Sequence, residues 1–396
     1  MTEVAGATAA PAIPFDAAKL DDLLERAGID ALIVSSKHNI QHLLGGYRFF
    51  FFAHFDAIGV GRYVPLLVYQ RGHPERTRYI GNGMERYEHE LGALWAPELV
   101  TSWYGQGGMD AAVEHLKKLG LSKGAIGIET PFLGADAVDA LRAGLPQAKI
   151  VNALVPLERF RAVKTPQELD YLRKASDAVV ASMLDVIAGH GPGSSTREIA
   201  DALRREEVLR GLEFEYCLIT AGKSHNRAPS EKLIWREGDV LSVDSGGNYH
   251  GYIGDLCRMG ILGEPDGELE DLLGEVEDIQ QAARKPIRAG ARGADIFDAA
   301  EALVRRSPHA NRLEFVAHGM GLISHEAPRL TNKGPVPYPA DDAELPLQAG
   351  MVLSIETTLA HPRRGFIKLE DTIVVTVDGY EMMGARGRGW NLGGIE

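Results

Sequence analysis

Basic residues are in short supply: 42 Lys and Arg face 55 Asp and Glu, a net charge of −13 over 396 residues. Such an acidic surface repels phosphate backbones and anionic lipid, so no nucleic-acid and no membrane partner is expected. Cysteine is nearly absent. Two residues, Cys217 and Cys257, cannot build a disulfide framework, which points to a reducing, cytoplasmic setting. Long apolar runs are also lacking, none approaching the ~18 residues of a spanning helix. Met1 to Phe15 has no basic start followed by an apolar core, so it does not read as a secretory signal. Small and rich in Ala and Pro, residues 1–15 read instead as a flexible arm. What is present is ordinary globular material, 45% hydrophobic and 24% charged, which excludes a mostly disordered chain. At roughly 150 residues per domain, two or three domains are expected.

Residues 16–160 have the pattern of an α/β domain. Asp16–Ala27 has helical spacing, with Leu20, Leu23 and Leu24 on one face, and Gly28 stops it. Ala31–Val34, Val64–Tyr69 and Ala125–Glu129 read as strands of a mixed or mostly parallel sheet. A boundary falls near Arg159–Pro166. Thr165 with Glu168 three residues on forms a capping box for a long helix. Residues 161–396 then read as α+β: helices first, then the β-rich runs Val240–Asp244, Gly251–Ile261, Met351–Thr357 and Phe366–Val377 with glycine turns. Gly193–Arg204 and Gly290–Ala302 share a Gly-led helix start and apolar spacing. They are either two ordinary capped helices or a weak internal repeat that would place a site between two similar halves.

Five residues of the second half stand out. Asp244 ends the apolar strand VLSVD, and Asp255 lies eleven residues on, in GYIGDLCR, where a hairpin brings the two together. His318 sits in HGMGL, Glu356 in VLSIE and Glu370 in FIKLED. Singly, each has an ordinary explanation: an Asp at a strand end forms turns, and a Glu on a strand faces solvent. Carboxylates pointing inward from apolar strands are costly unless a cation or hydrogen bonds compensate. Four carboxylates supply −4, two divalent metals supply +4, and one neutral imidazole completes the shell. That balance suits a two-metal site with ~3.5–4 Å between ions. Oxygen-rich ligation with one His suits Mn²⁺ and permits Co²⁺ or Zn²⁺.

DSGGNYHGYIGDLCR, HGMGLISHE and SIE…KLED together resemble the motif set of the pita-bread metallopeptidases: Xaa-Pro aminopeptidase, prolidase and the creatinases. The resemblance covers most of the chain. It implies a creatinase-like N-terminal domain over 16–160 and a pita-bread catalytic domain over 161–396. It further implies that Asp244 and Asp255 hold one metal, that His318 and Glu356 bind the second, and that Asp255 and Glu370 bridge. His225, in AGKSHNRAPS, falls where the family keeps a substrate-binding or proton-shuttling His. His325 falls in the family's His-Glu pair and would hydrogen-bond the substrate carbonyl. The implied chemistry is attack of a metal-bridging hydroxide on an amide, with Glu356 as general base or proton shuttle. A homodimer is implied by the resemblance alone.

Three features depart from the family. Lys368 stands where many relatives have Arg, two before the final Glu; it shares a strand face with Glu370 and so points toward the site. Glu356 is followed by Thr357 and Thr358 rather than Pro-Gly, which alters the pocket wall. Phe49 to Phe52, with Phe55 following, form either a buried apolar strand or an aromatic flap. Arg62 loosely resembles the position of a carboxylate-binding Arg, giving Lys368 and Arg62 as substrate contacts. The reading is a dinuclear-metal Xaa-Pro peptidase. A hydrolase or lyase of a small non-peptide amide or related metabolite on the same scaffold is the alternative. A non-catalytic binding protein is least favoured, because all five ligands are retained.

Overall fold

Asp16 starts the first helix: its carboxylate accepts from the Lys19 amide at 3.0 Å and caps α1 (Ala17–Arg26), which buries Leu20 and Leu24 four residues apart. The computed structural model describes residues 12–54, 65–102, 105–333 and 339–394, so most of the arm expected over 1–15 lies outside the described residues. The chain divides into two units, Met1–Phe160 and Arg161–Glu396. No helix among the described residues is long and apolar enough to cross a membrane.

In the first unit α1 is followed by β1 (Ala31–Val34), α2 (Lys37–Leu43), β2 (Leu66–Gln70), β3 (His73–Asn82), α3 (Glu85–Glu90) and β4 (Glu98–Ser102). Next come α4 (Gly105–Lys118), β5 (Ala125–Ile128), α5 (Ala135–Gly144), β6 (Lys149–Asn152) and α6 (Leu154–Arg161). The sheet runs β4-β3-β2-β1-β5-β6. It is mixed: β1 pairs antiparallel with β2 and parallel with β5. Every residue of β1 is buried, because apolar clusters cover both faces of the sheet. The phenylalanine run, weighed as a strand, is instead a single 3₁₀ turn, Phe50–His54. Phe49 and Phe52 enter the core while Phe50 is exposed, a split that a tight turn allows and a strand buried on both faces does not. Phe55 lies outside the described residues.

The second unit opens with the expected capping box. Thr165 Oγ1 accepts from the Glu168 amide at 3.3 Å, and Glu168 returns a carboxylate oxygen to the Thr165 amide at 2.7 Å. This starts α7 (Pro166–Ala188). Ser195 and Glu198 repeat the device for α8 (Thr196–Leu209). Then come β7 (Glu213–Ala221), β8 (Val240–Tyr249), β9 (Tyr252–Ile261), α9 (Gly267–Arg284), α10 (Ala294–Val304), β10 (Leu313–Gly319), β11 (Val352–His361), β12 (Gly365–Val375), β13 (Tyr380–Met383) and β14 (Asn391–Leu392). The weakly repeated helices α8 and α10 start differently, since Gly293 before α10 provides no side-chain cap.

The eight-stranded sheet is ordered β10-β11-β12-β9-β8-β7, with β13 added to β12 and β14 to β9. Strand periodicity decides what each face carries. On β10, β11 and β12 the odd-numbered Phe315, Ala317, Leu353, Ile355, Leu359, Ile367, Leu369 and Ile373 pack into one core cluster with α9 and α10. On β7 to β9, Cys217, Ile219, Leu241, Val243 and Leu256 pack with α7 and α8. Full burial of each large side chain contributes ~1.5–3 kcal/mol, which fixes the register of every strand and turns the alternate residues to the opposite face. α7 lies directly on β9: a Cβ on Gly254 would stand 2.7 Å from the Ala175 carbonyl carbon.

Candidate metal centre

The face turned away from the helices carries the polar residues. On β11 and β12, Glu356 and Glu370 are direct cross-strand partners. On the β8–β9 hairpin, Asp244 pairs with Cys257 and Asp255 with Gly246, so the two aspartates are diagonal neighbours on one face. Glu370 also pairs with Cys257, which sews the two hairpins together at the site. His318 lies on β10 opposite Ser354. The four carboxylates line a cavity of about 530 Å³ that is also lined by Tyr216, Arg227, His325, Thr358, Phe366 and Lys368, and His318 is not among its lining residues.

Asp255, His318 and Glu370 each present a ligand atom within 4.8 Å of the other two. Donors bound ~2 Å from one ion stand roughly 3–4 Å apart, so this trio is close enough to converge on a divalent cation with small adjustments of the side chains. His318 Nε2 is buried without a hydrogen-bond partner and lies 3.7 Å from Glu356 Oε1. A buried imidazole nitrogen with no hydrogen bond, close to carboxylates, has the donor chemistry that fits a metal ligand. The Tyr216 hydroxyl holds Asp255 Oδ1, and Ser354 Oγ donates to Glu370 Oε1 at 2.8 Å.

Asp244 has other partners. Its Oδ2 receives the Lys368 ammonium at 2.6 Å and the Arg227 guanidinium. Lys368 Nζ also lies 2.7 Å from Glu356 Oε2 and 2.7 Å from Glu370 Oε2. Burial works against the Lys368 charge, but Asp244, Glu356 and Glu370 more than offset it and hold the amine well above its ordinary range. Burial raises the Asp255 carboxyl well above its usual value, and Glu370 and Asp244 add to that; Tyr216 and Lys368 oppose it. The Asp244 carboxyl is raised by burial, against the pull of Lys368.

The histidines separate. His325 lines the cavity and stacks on His318, with ring centroids 3.7 Å apart. Burial, aided by His318, Arg329 and Lys368, lowers its pKa to about 3, so it is neutral at physiological pH. Its position is set by Glu326, which receives Arg161 at 2.7 Å and Lys164 at 3.0 Å, all three buried. His225 is not brought to the cavity. It is exposed on the β7–β8 loop, with Nε2 3.4 Å from the His361 carbonyl. The bond from the Ile219 amide to the Arg227 carbonyl, 2.8 Å, lays Arg227 along β7, so Arg227 rather than His225 carries its side chain inward. Thr358 lines the cavity, whereas Thr357 is fully buried on the helix-facing side of β11. Arg62 lies outside the described residues.

Tyr216 and Arg227 are functional candidates that the sequence reading missed. Tyr216 alternates with Cys217 and faces the site together with Leu218, so strand periodicity in FEYCLIT was its signal. Arg227 depends on a loop bond and had none.

The model of metallopeptidase family M24 matches residues 170–377. The chain belongs to that family. The creatinase/prolidase N-terminal domain matches residues 17–163. The chain is 23% identical over 371 residues to the uncharacterized peptidase YqhT of Bacillus subtilis, covering 91% of this chain and 95% of that one. It is 26% identical over 383 residues to a creatinase of Bacillus sp. (strain B-0618), covering 92% and 88%. Among solved structures, an Xaa-Pro dipeptidase from Bacillus anthracis superposes with a TM-score of 0.80 at 21% identity, covering 95% of this chain and 98% of that chain, a likeness of fold. The architecture is therefore the pita-bread catalytic fold with a creatinase-type N-terminal domain, in keeping with the motifs of the second half.

Proposed function

We propose that this M24 protein is a metal-dependent hydrolase that cleaves the amide bond preceding proline in a short peptide. The observation that supports it is the convergence of the ligand atoms of Asp255, His318 and Glu370 beside a cavity lined by Asp255, Glu370, His325 and Glu356. Asp255, His318, Glu356 and Glu370 would hold the ion, with manganese favoured by this hard oxygen and imidazole donor set. Bound there, a divalent ion supplies Lewis-acid polarisation of the scissile carbonyl and acidifies water.

The remaining tasks fall to side chains. Glu356, itself one of that donor set and open to the cavity, takes the proton of the attacking water and returns it to the leaving nitrogen. The neutral ring of His325 donates a hydrogen bond to the carbonyl oxygen as negative charge develops on it. The Arg227 guanidinium lies 5.2 Å over the Phe366 ring at the cavity wall, and its remaining donors suit a substrate carboxylate. Asp244 keeps Arg227 in that place.

One observation favours a second reading, a small non-peptide amide on the same scaffold: two cations, Lys368 and Arg227, stand inside the carboxylate cluster and reshape the pocket. A three-substrate panel on the manganese-loaded protein separates the readings. Cleavage of an Xaa-Pro dipeptide alone marks a prolidase. Release of the first residue from an Xaa-Pro tripeptide marks an aminopeptidase. Turnover of only an N-acylated or cyclic amino-acid amide moves the assignment to the second reading. Inactivity on all three, with metal bound, overturns the hydrolase assignment.

A further inference from the structure

Resting on the reading of this cluster as a metal centre, we propose that it takes one divalent ion and that the Lys368 ammonium, assisted by Arg227, permanently fills the place of a second. An ammonium has three N–H donors and no acceptor. Lys368 Nζ meets three carboxylates, Asp244, Glu356 and Glu370, at 2.6, 2.7 and 2.7 Å. The contact with Asp244 Oδ2 is a hydrogen bond and the other two are close ion pairs, so Lys368 acts as a resident counter-ion of the cluster.

The charges agree with the geometry. Asp244, Asp255, Glu356 and Glu370 carry −4 when ionised. Lys368 and Arg227 return two positive charges at salt-bridge distance. One divalent ion balances the remainder, and a second would leave a buried excess of positive charge. The donors divide the same way. Asp255, His318 and Glu370 present convergent ligand atoms, with Glu356 Oε1 3.7 Å from His318 Nε2, whereas Asp244 Oδ2 already serves both Lys368 and Arg227.

Lys368 has no cheap way out. It lies in β12, paired with β11, and is 3% exposed. Opposite it on β11 is Thr358, and its backbone amide meets Met259 Sδ at 3.4 Å. A second cation entering beside Asp244 would have to displace an ammonium already neutralised by three carboxylates and would then meet Arg227.

The test is a metal count on the full chain, with Mn²⁺ as probe. The protein is stripped with chelator, dialysed against Mn²⁺, and assayed by elemental analysis and electron paramagnetic resonance. One ion per chain with an uncoupled Mn²⁺ spectrum is expected. Two ions per chain, or a magnetically coupled pair, overturn the proposal and leave the hydrolase assignment standing. No bound ion overturns both. The double variant Lys368→Ala, Arg227→Ala, checked for folding by circular dichroism, should raise the count from one to two; a count of one in that folded variant also overturns the proposal. The wild-type count stands by itself if the variant does not fold.

Discussion

Tyr216 reaches Asp255 across a glycine. Tyr216 pairs with Gly246 on one side, Gly246 pairs with Asp255 on the other, and the phenol hydroxyl spans the gap to Asp255 Oδ1. A Cβ on Gly246 would stand 2.4 Å from the ring atom Cε1 of Tyr216. The ring therefore lies where only a glycine leaves room, and from the cavity wall it fixes one carboxylate of the candidate metal centre.

Loss of that hydroxyl should cost metal affinity more than stability. Partners that orient a ligand are typically worth 10–100-fold in metal binding. Tyr216→Phe should weaken Mn²⁺ binding by about that factor in calorimetric titration, and Gly246→Ala should do the same while also lowering stability by about 1–3 kcal/mol through overpacking. An unchanged dissociation constant in both variants would remove Tyr216 from the support of Asp255.

Glu326 anchors the segment that carries His325. Its carboxylate is shared by Arg161 and Lys164, and all three side chains are buried. Removing one member of such a triad strands charge in the core, at about 3–5 kcal/mol. Glu326→Gln should lower the urea midpoint of the catalytic unit accordingly and reduce turnover through His325. A midpoint within error of wild type would contradict this role.

Glu207 makes stability depend on pH. It is fully buried on α8, one carboxylate oxygen accepts from Ser245 Oγ at 2.9 Å, and the other has no partner. Burial, with help from Glu215, raises its pKa to about 7. A carboxyl whose folded pKa exceeds its unfolded one stabilises the fold while protonated, so this contribution is complete below about pH 4.5 and is lost as pH rises through about 7. Glu207→Gln should abolish the fall over that window, making the variant more stable than wild type at pH 8 and similar at pH 4.5. Parallel stability-versus-pH curves for the two proteins would count against the assignment.

Both cysteines should be inert in the folded protein. They are buried, and burial, reinforced by Asp244, pushes the Cys257 thiol up to about 12 and Cys217 well above its usual value. Titration with a thiol-specific disulfide reagent should find neither thiol in the native state and both after denaturation. Rapid native labelling would contradict the packing of β7 against β8 and β9.

Much of this was readable beforehand where local chemistry decides the outcome. Thr165 with Glu168 announced α7 because a capping box is complete within four residues. The strands bearing Asp244, Asp255, Glu356 and Glu370 were legible because apolar residues alternate with them. The same alternation turned Lys368 and Glu370 to one face and, followed one residue further, explains why Thr358 and not Thr357 meets the cavity. What could not be read depended on contacts made in three dimensions. Arg227 rather than His225 enters the site because of one backbone bond to Ile219. That Lys368 bridges three carboxylates from three strands is a matter of register. The phenylalanine run stays open between a strand and a flap because composition does not distinguish a buried strand from a 3₁₀ turn that buries Phe49 and Phe52, three residues apart.

The most direct test of the metal-hydrolase reading is proline release from an Xaa-Pro dipeptide, measured while chelator-stripped protein is reloaded with Mn²⁺ in substoichiometric steps. Activity should appear with the first addition, rise in proportion to bound ion, and level off at one ion per chain. Failure to release proline at any loading would contradict the proposed peptidase activity, and a plateau reached only at two ions per chain would contradict the role given to Lys368.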